Sequence, residues 1–182
     1  MSYNFQNLTN DEKIITKQKG VFSVLEYQKD KSVSPVAATS EYFMTQMGVK
    51  KKQVIAVINN QAIKTQAGAM QYTVGHIDCE TGVKGVGDFL GKAVKGAVTK
   101  ESAVKPEYSG AGMIVLEPTY KHIILVDLQD WQTGITLEDG MFLACDASVE
   151  QKIVSRKNLS SIIGGEGLFN LSLSGNGIAV LE

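Results

Sequence analysis

Ser109-Gly-Ala-Gly-Met-Ile-Val-Leu-Glu117 returns as Ser174-Gly-Asn-Gly-Ile-Ala-Val-Leu-Glu182, six of nine residues identical at an offset of 174 − 109 = 65. An internal repeat fixes architecture before chemistry, because each copy is one structural unit that must pack against the other. The register holds upstream, with Glu101 over Glu166, Val104 over Phe169 and Tyr108 over Leu173. Further back, Gly68-Ala-Met-Gln-Tyr72 falls on Gly140-Met-Phe-Leu-Ala144 at an offset of 140 − 68 = 72, so the first copy carries 72 − 65 = 7 extra residues. The repeat divides the chain into an N-terminal extension (1–52), a first β half-domain (53–117) and a second (118–182), expected to form one compact unit.

The apolar residues come in short runs: Val54 to Ile58, Met113 to Leu116, Ile123 to Val126, Met141 to Cys145 and Ile178 to Leu181. Runs of this length, rich in branched residues and bounded by glycine, read as strands. Asn59-Asn60, Glu117-Pro118, Gln132-Thr-Gly134, Glu138-Asp-Gly140 and Gly175-Asn-Gly177 supply turn chemistry between them. The expected fold is all-β, a duplicated β-sandwich or double-stranded β-helix of jelly-roll type. In the extension, Val21 to Tyr27 reads as a strand and Thr9 to Glu12 as a capping box.

The strand runs do not alternate apolar with polar, so both faces of the sheet are expected to be covered. A second subunit is one way to cover the outer face, and a homo-oligomer is expected on that ground. A protein partner is a further expectation. Residues 82–98 read as a short amphipathic helix with Phe89, Leu90 and Val94 on its apolar stripe, either capping an open sheet end or touching a partner or a membrane surface.

The chemistry that the sequence excludes is broader than what it suggests. Eighteen basic and nineteen acidic residues leave a formal charge of −1, which argues against nucleic-acid binding driven by a global field. Lys50, Lys51 and Lys52 form one brief basic run, read as a solvated turn. No stretch has the basic, apolar and cleavage regions of a secretion signal, and none has eighteen consecutive apolar residues, so a cytoplasmic location is expected. The segment around Gly87 and Gly91 lacks the spacing and hydroxyl of a P-loop, and neither glycine pair completes GxGxxG. In a β protein the Ser-Gly-x-Gly element is a turn or bulge that admits positive φ.

His76 and His122 are too few and too scattered for a metal centre, and Cys79 and Cys145 form neither a CxxC pair nor a disulfide framework. His76 and Cys79 are three residues apart, on opposite faces of any strand. Asp127, Asp130, Glu138, Asp139, Asp146 and Glu150 read as solvated turn carboxylates. Glu101 and Glu166, the repeat-equivalent acids, are either paired interface or ligand groups or acceptors for the amides of a glycine turn. No catalytic residue, cofactor or metal is expected, and the chain is read as non-enzymatic. The leading reading is a self-associating scaffold or interaction module. The alternative is a small-ligand or nucleic-acid binding module.

Gln66-Ala-Gly-Ala-Met70 with Gly75, Ser109-Gly-Ala-Gly, Tyr120 through Leu128, Gly140-Met-Phe-Leu-Ala144, Gly165-Glu-Gly-Leu-Phe169 and Ser174-Gly-Asn-Gly together resemble the altered-inheritance-of-mitochondria 24 family, formerly domain of unknown function 124. The likeness runs from about Gln53 to the end. It implies a fold similar to the tryptophan RNA-binding attenuator protein, from which the nucleic-acid alternative derives. It also implies mitochondrial relatives linked to inner-membrane organisation, and bacterial members with no settled biochemical activity. It carries over no catalytic residue. The first copy departs from the pattern at Lys100-Glu-Ser, where the second has Gly165-Glu-Gly. Family members usually continue past the last strand, so the resemblance implies a short or truncated member whose final strand leaves an abnormal edge.

Overall fold

The computed structural model describes residues 13–81, 105–155 and 169–182. Among these the chain is almost all strand: β1 (Lys13–Lys19), β2 (Phe22–Tyr27), α1 (Ala38–Gln46), β3 (Lys52–Thr65), β4 (Met70–Glu80), β5 (Glu107–Leu116), β6 (Ile124–Asp127), a 3-10 turn (Leu128–Asp130), β7 (Ile135–Leu137), β8 (Phe142–Asp146), β9 (Glu150–Ser155), β10 (Phe169–Ser174) and β11 (Ile178–Leu181). An eight-stranded sheet runs β1-β2-β3-β8-β11-β6, with β5 also on β3 and β4 on β5, and a second sheet runs β7-β10-β9. The large sheet curls until β1 meets β6, where side chains replace a strand ladder. Lys17 Nζ donates to Ile123 O at 2.8 Å, and Lys19 Nζ lies 3.4 Å from Asp127 and 3.8 Å from Asp130.

The missing alternation has a direct cause. Ile178 and Val180 point into a core with Phe22, Val24, Ala56 and Ile114, the inside of the curled sheet. Ala179 and Leu181, the residues between and after them, enter a second core with Leu128 of the 3-10 turn and Leu137, Leu171 and Leu173 from the small sheet. β8 is shared in the same way, with Ala144 in the first core and Cys145 in the second. A strand sandwiched between two cores has no wet face, and each fully buried Leu or Val adds about 1.5–3 kcal/mol. On the other side of β2–β3–β5, Leu25, Ile55, Met113 and Val115 form a third cluster that Tyr72 and Val74 flank. For β8 and β11, therefore, the second face is covered within the chain, and no second subunit is needed there.

Several expectations need correction. The strands of the first half are long, fourteen residues in β3 and eleven in β4. Asn59-Asn60 is no turn: the ladder slips between Asn59 and Gln61, and Asn60 (φ +55°) is the extra residue of a bulge inside β3. Asparagine tolerates that left-handed conformation, so one residue kinks the strand without ending it. The final strand leaves no edge, because β11 pairs with β6 on one side and β8 on the other. The described helix is α1, in the N-terminal extension. It buries no residue, which is why no apolar stripe announces it, and Tyr42 and Phe43 are 60% and 59% exposed. The segment 82–98 and the capping box at Thr9 to Glu12 lie outside the described residues. So do Phe89, Leu90, Val94, Glu101 and Glu166.

The repeated nine residues adopt two backbones. Ser109-Gly-Ala-Gly lies inside β5, whereas Ser174 ends β10 and Gly175 to Gly177 bend the chain from the small sheet into the large one.

Candidate functional site

The chemistry-bearing residues singled out from sequence are not brought together. His76 lies on β4 opposite Ala111, and His122 lies in the connection before β6, both exposed. Cys79 is exposed on β4 opposite Tyr108. Cys145 is buried in the second core, where burial pushes its thiol up to about 12 and the amide of Gln151 donates to Sγ at 3.3 Å. Among the described residues no group of three or more His, Cys, Asp or Glu is placed to hold a metal ion. No described helix is long and apolar enough to cross a membrane.

The three consecutive lysines are not free solvated charges. Lys50 donates to Gln28 and lies 3.5 Å from Glu26, Lys51 is paired with Asp30, and Lys52 Nζ donates to Lys50 O at 3.1 Å. Lys51 also sits over the Tyr120 ring at 5.4 Å, and the Tyr120 hydroxyl donates to Glu41 at 2.6 Å. The run is thus spent mostly on the end of β2 and the chain that follows it, and Lys51 alone reaches toward α1, through Tyr120 and Glu41.

Two features remain. The first is a cleft of about 530 Å³ where the β1–β2 turn, the β3 bulge and the β8–β9 turn meet, lined by Gly20, Gln61, Ala62, Asp146 and Ser148. Asp146 Oδ2 accepts the Ile178 backbone N–H at 2.7 Å, and Ser148 Oγ donates to Asn176 O at 2.8 Å. Burial holds the Asp146 carboxyl above the usual carboxylate range, with the Ile178 amide opposing it. Asp146 is accordingly half-buried and bonded, where its place in an acidic stretch read as solvated. Gly177 (φ +136°) leaves the room: a Cβ there would lie 3.0 Å from that of Asp146.

The second is the outer edge of β4. Its inner edge is laddered to β5 from Met70↔Leu116 to Glu80↔Glu107, with an extremely close approach at the glycines. A Cβ on Gly110 would lie 2.2 Å from His76 O, and one on Gly112 2.1 Å from Val74 O. Its outer edge pairs with no strand among the described residues. No residue of β4 is buried, and none is Lys, Arg or Pro. Edge strands are ordinarily blunted by charged side chains, lysine above all, by proline, by bulges or by shortness, and on β4 these are limited to a register slip between Met70 and Tyr72 and to Asp78 and Glu80 at one end. The other edges have these devices: β1 carries Lys13, Lys17 and Lys19, β6 has four residues, β7 has three and β9 has Lys152. The sequence signal was present, an eleven-residue stretch without a cation or proline, but which strand ends a sheet is a property of topology.

The sequence model of a family described as Mitochondrial biogenesis AIM24 matches residues 47–182. The chain belongs to the AIM24 family. A curated relative, an uncharacterized protein of Streptococcus pyogenes serotype M6, is 31% identical over 124 residues, which cover 64% of this chain and 49% of that protein. A crystal structure of a Streptococcus pyogenes protein is similar with a TM-score of 0.54 at 26% identity, over 73% of this chain and 59% of that one. This AIM24 chain thus spans about half the length of the curated relative it matches.

Proposed function

We propose that this chain is a non-enzymatic, self-associating β protein that serves as a scaffold or interaction module. The observation that carries the reading is the outer edge of β4, eleven residues of strand with neither the lysine nor the proline that normally prevents pairing. The exposed side chains of Tyr42 and Phe43 on α1 and of Met47 just after it supply a second surface for a protein partner. Light scattering at micromolar concentration tests the reading: 39.4 kDa is expected, twice the 19.7 kDa of one chain, and a one-chain mass would discard it.

The Asp146 cleft favours a second reading, a small polar ligand that presents a cationic amine to the half-buried carboxylate. Millimolar methylamine should then shift the Ile178 amide resonance in wild type and not in Asp146→Asn. Nucleic acid is disfavoured by the pairing of Lys50 and Lys51 with Glu26 and Asp30.

A further inference from the structure

We infer that two copies of the chain join through β4, edge to edge and antiparallel, about a twofold axis near Gly75. The inference rests on the self-associating reading above and assigns it a site, a direction and an occupant.

An exposed strand edge presents a row of N–H and C=O groups that water solvates and that another strand can pair as a ready-made template. At about 3.4 Å per residue the eleven-residue edge is ~37 Å long, enough for an extended ladder. A second β4 suits it because of where the charges sit. The strand has two acids, Asp78 and Glu80, both at its C-terminal end, and no basic residue. Parallel pairing in register would stack Asp78 on Asp78 and Glu80 on Glu80, which like-charge repulsion disfavours. Antiparallel pairing about Gly75 sends the acids to opposite ends of the ladder, Asp78 opposite Tyr72 and Glu80 opposite Met70. Val74 then faces His76 of the other copy, and Thr73 faces Ile77.

Packing points the same way. Val57, Met113 and Val74 form one cross-strand row on the outer face of the sheet. The row ends at β4, where Val74 is half-buried on the flank of the third cluster. A strand added there continues the row and covers that flank. An isologous contact of this kind closes at two copies, because each β4 edge is used once.

The test uses the two native cysteines. Cys79 is exposed and Cys145 buried, so a nitroxide reagent marks Cys79 alone in the folded protein. With the axis at Gly75 the two Cys79 positions lie eight residues apart along the ladder, ~27 Å at about 3.4 Å per residue. The expected result is a two-chain mass with a dipolar distance near that value. In Thr73→Lys/His76→Lys, four ammonium groups are brought to the middle of the ladder, and the mass should fall to one chain with the circular dichroism unchanged. A two-chain mass that survives this double substitution would overturn the inference and leave the self-associating reading standing. So would strong spectral broadening at Cys79, the mark of a parallel pair. A one-chain mass for wild type would overturn both.

Discussion

Asp146 Oδ2 accepts the backbone N–H of Ile178 at 2.7 Å, and this bond fastens the last residue of β8 to the first residue of β11. Both strands are shared between the two cores, so the bond sits where the cores are joined.

Asp146→Ala leaves the Ile178 amide without its acceptor and should cost about 1–3 kcal/mol in denaturant unfolding at pH 7. Asp146→Asn keeps an acceptor oxygen and removes a carboxylate that burial disfavours. A carboxyl raised in the folded state loses stability as pH climbs from its unfolded pKa of 3.8 through its folded value. The Asn variant should therefore gain relative to wild type between acid and pH 7, and a constant difference across that range would contradict the assignment.

Gly112 is the position where β4 and β5 come closest, 2.1 Å from a would-be Cβ to Val74 O. Gly112→Ala must push the two strands apart, and about 2 kcal/mol or more of stability should be lost. Gly68→Ala is the control, since nothing lies within 4 Å of a Cβ there and only its left-handed φ of +80° is strained. Chemical denaturation midpoints rank the two, with Gly112→Ala the lower.

Asp30 anchors the approach to α1. Burial raises its carboxyl, but the bonds from Lys51 and Ser32 outweigh burial and bring it down to about 2. A depressed carboxylate stabilises the fold above its unfolded pKa of 3.8, and that contribution disappears as pH falls from there toward 2. Asp30→Asn should remove this acid-sensitive part, so wild type and variant converge in thermal stability near pH 2 and differ at pH 6.

The two thiols should behave differently. Cys79 is exposed, whereas burial pushes Cys145 up to about 12, leaving almost no thiolate at pH 8. A colorimetric disulfide reagent is expected to titrate one thiol per folded chain and two after denaturation. Two fast thiols in the folded protein would place Cys145 outside the core.

The sequence carried the class of fold because the runs at Met141 to Cys145 and Ile178 to Leu181 are too short for helices and too uniformly apolar for a half-wet sheet. Their lack of alternation announced two covered faces. It did not say what covers them, and the answer is the small β7-β10-β9 sheet of the same chain. Asn59-Asn60 misled because a bulge and a turn use the same residue for the same left-handed conformation, and only the partner strand distinguishes them. Helix α1 was invisible because it buries nothing. The β4 edge and the Asp146 bond are products of topology, joining residues whose separation in sequence holds no periodic signal.

Sedimentation equilibrium of the wild-type chain across a dilution series bears most directly on self-association. One monomer–dimer curve is predicted, approaching 39.4 kDa, twice the 19.7 kDa chain mass, at the concentrated end. A single species of 19.7 kDa at every concentration would contradict it.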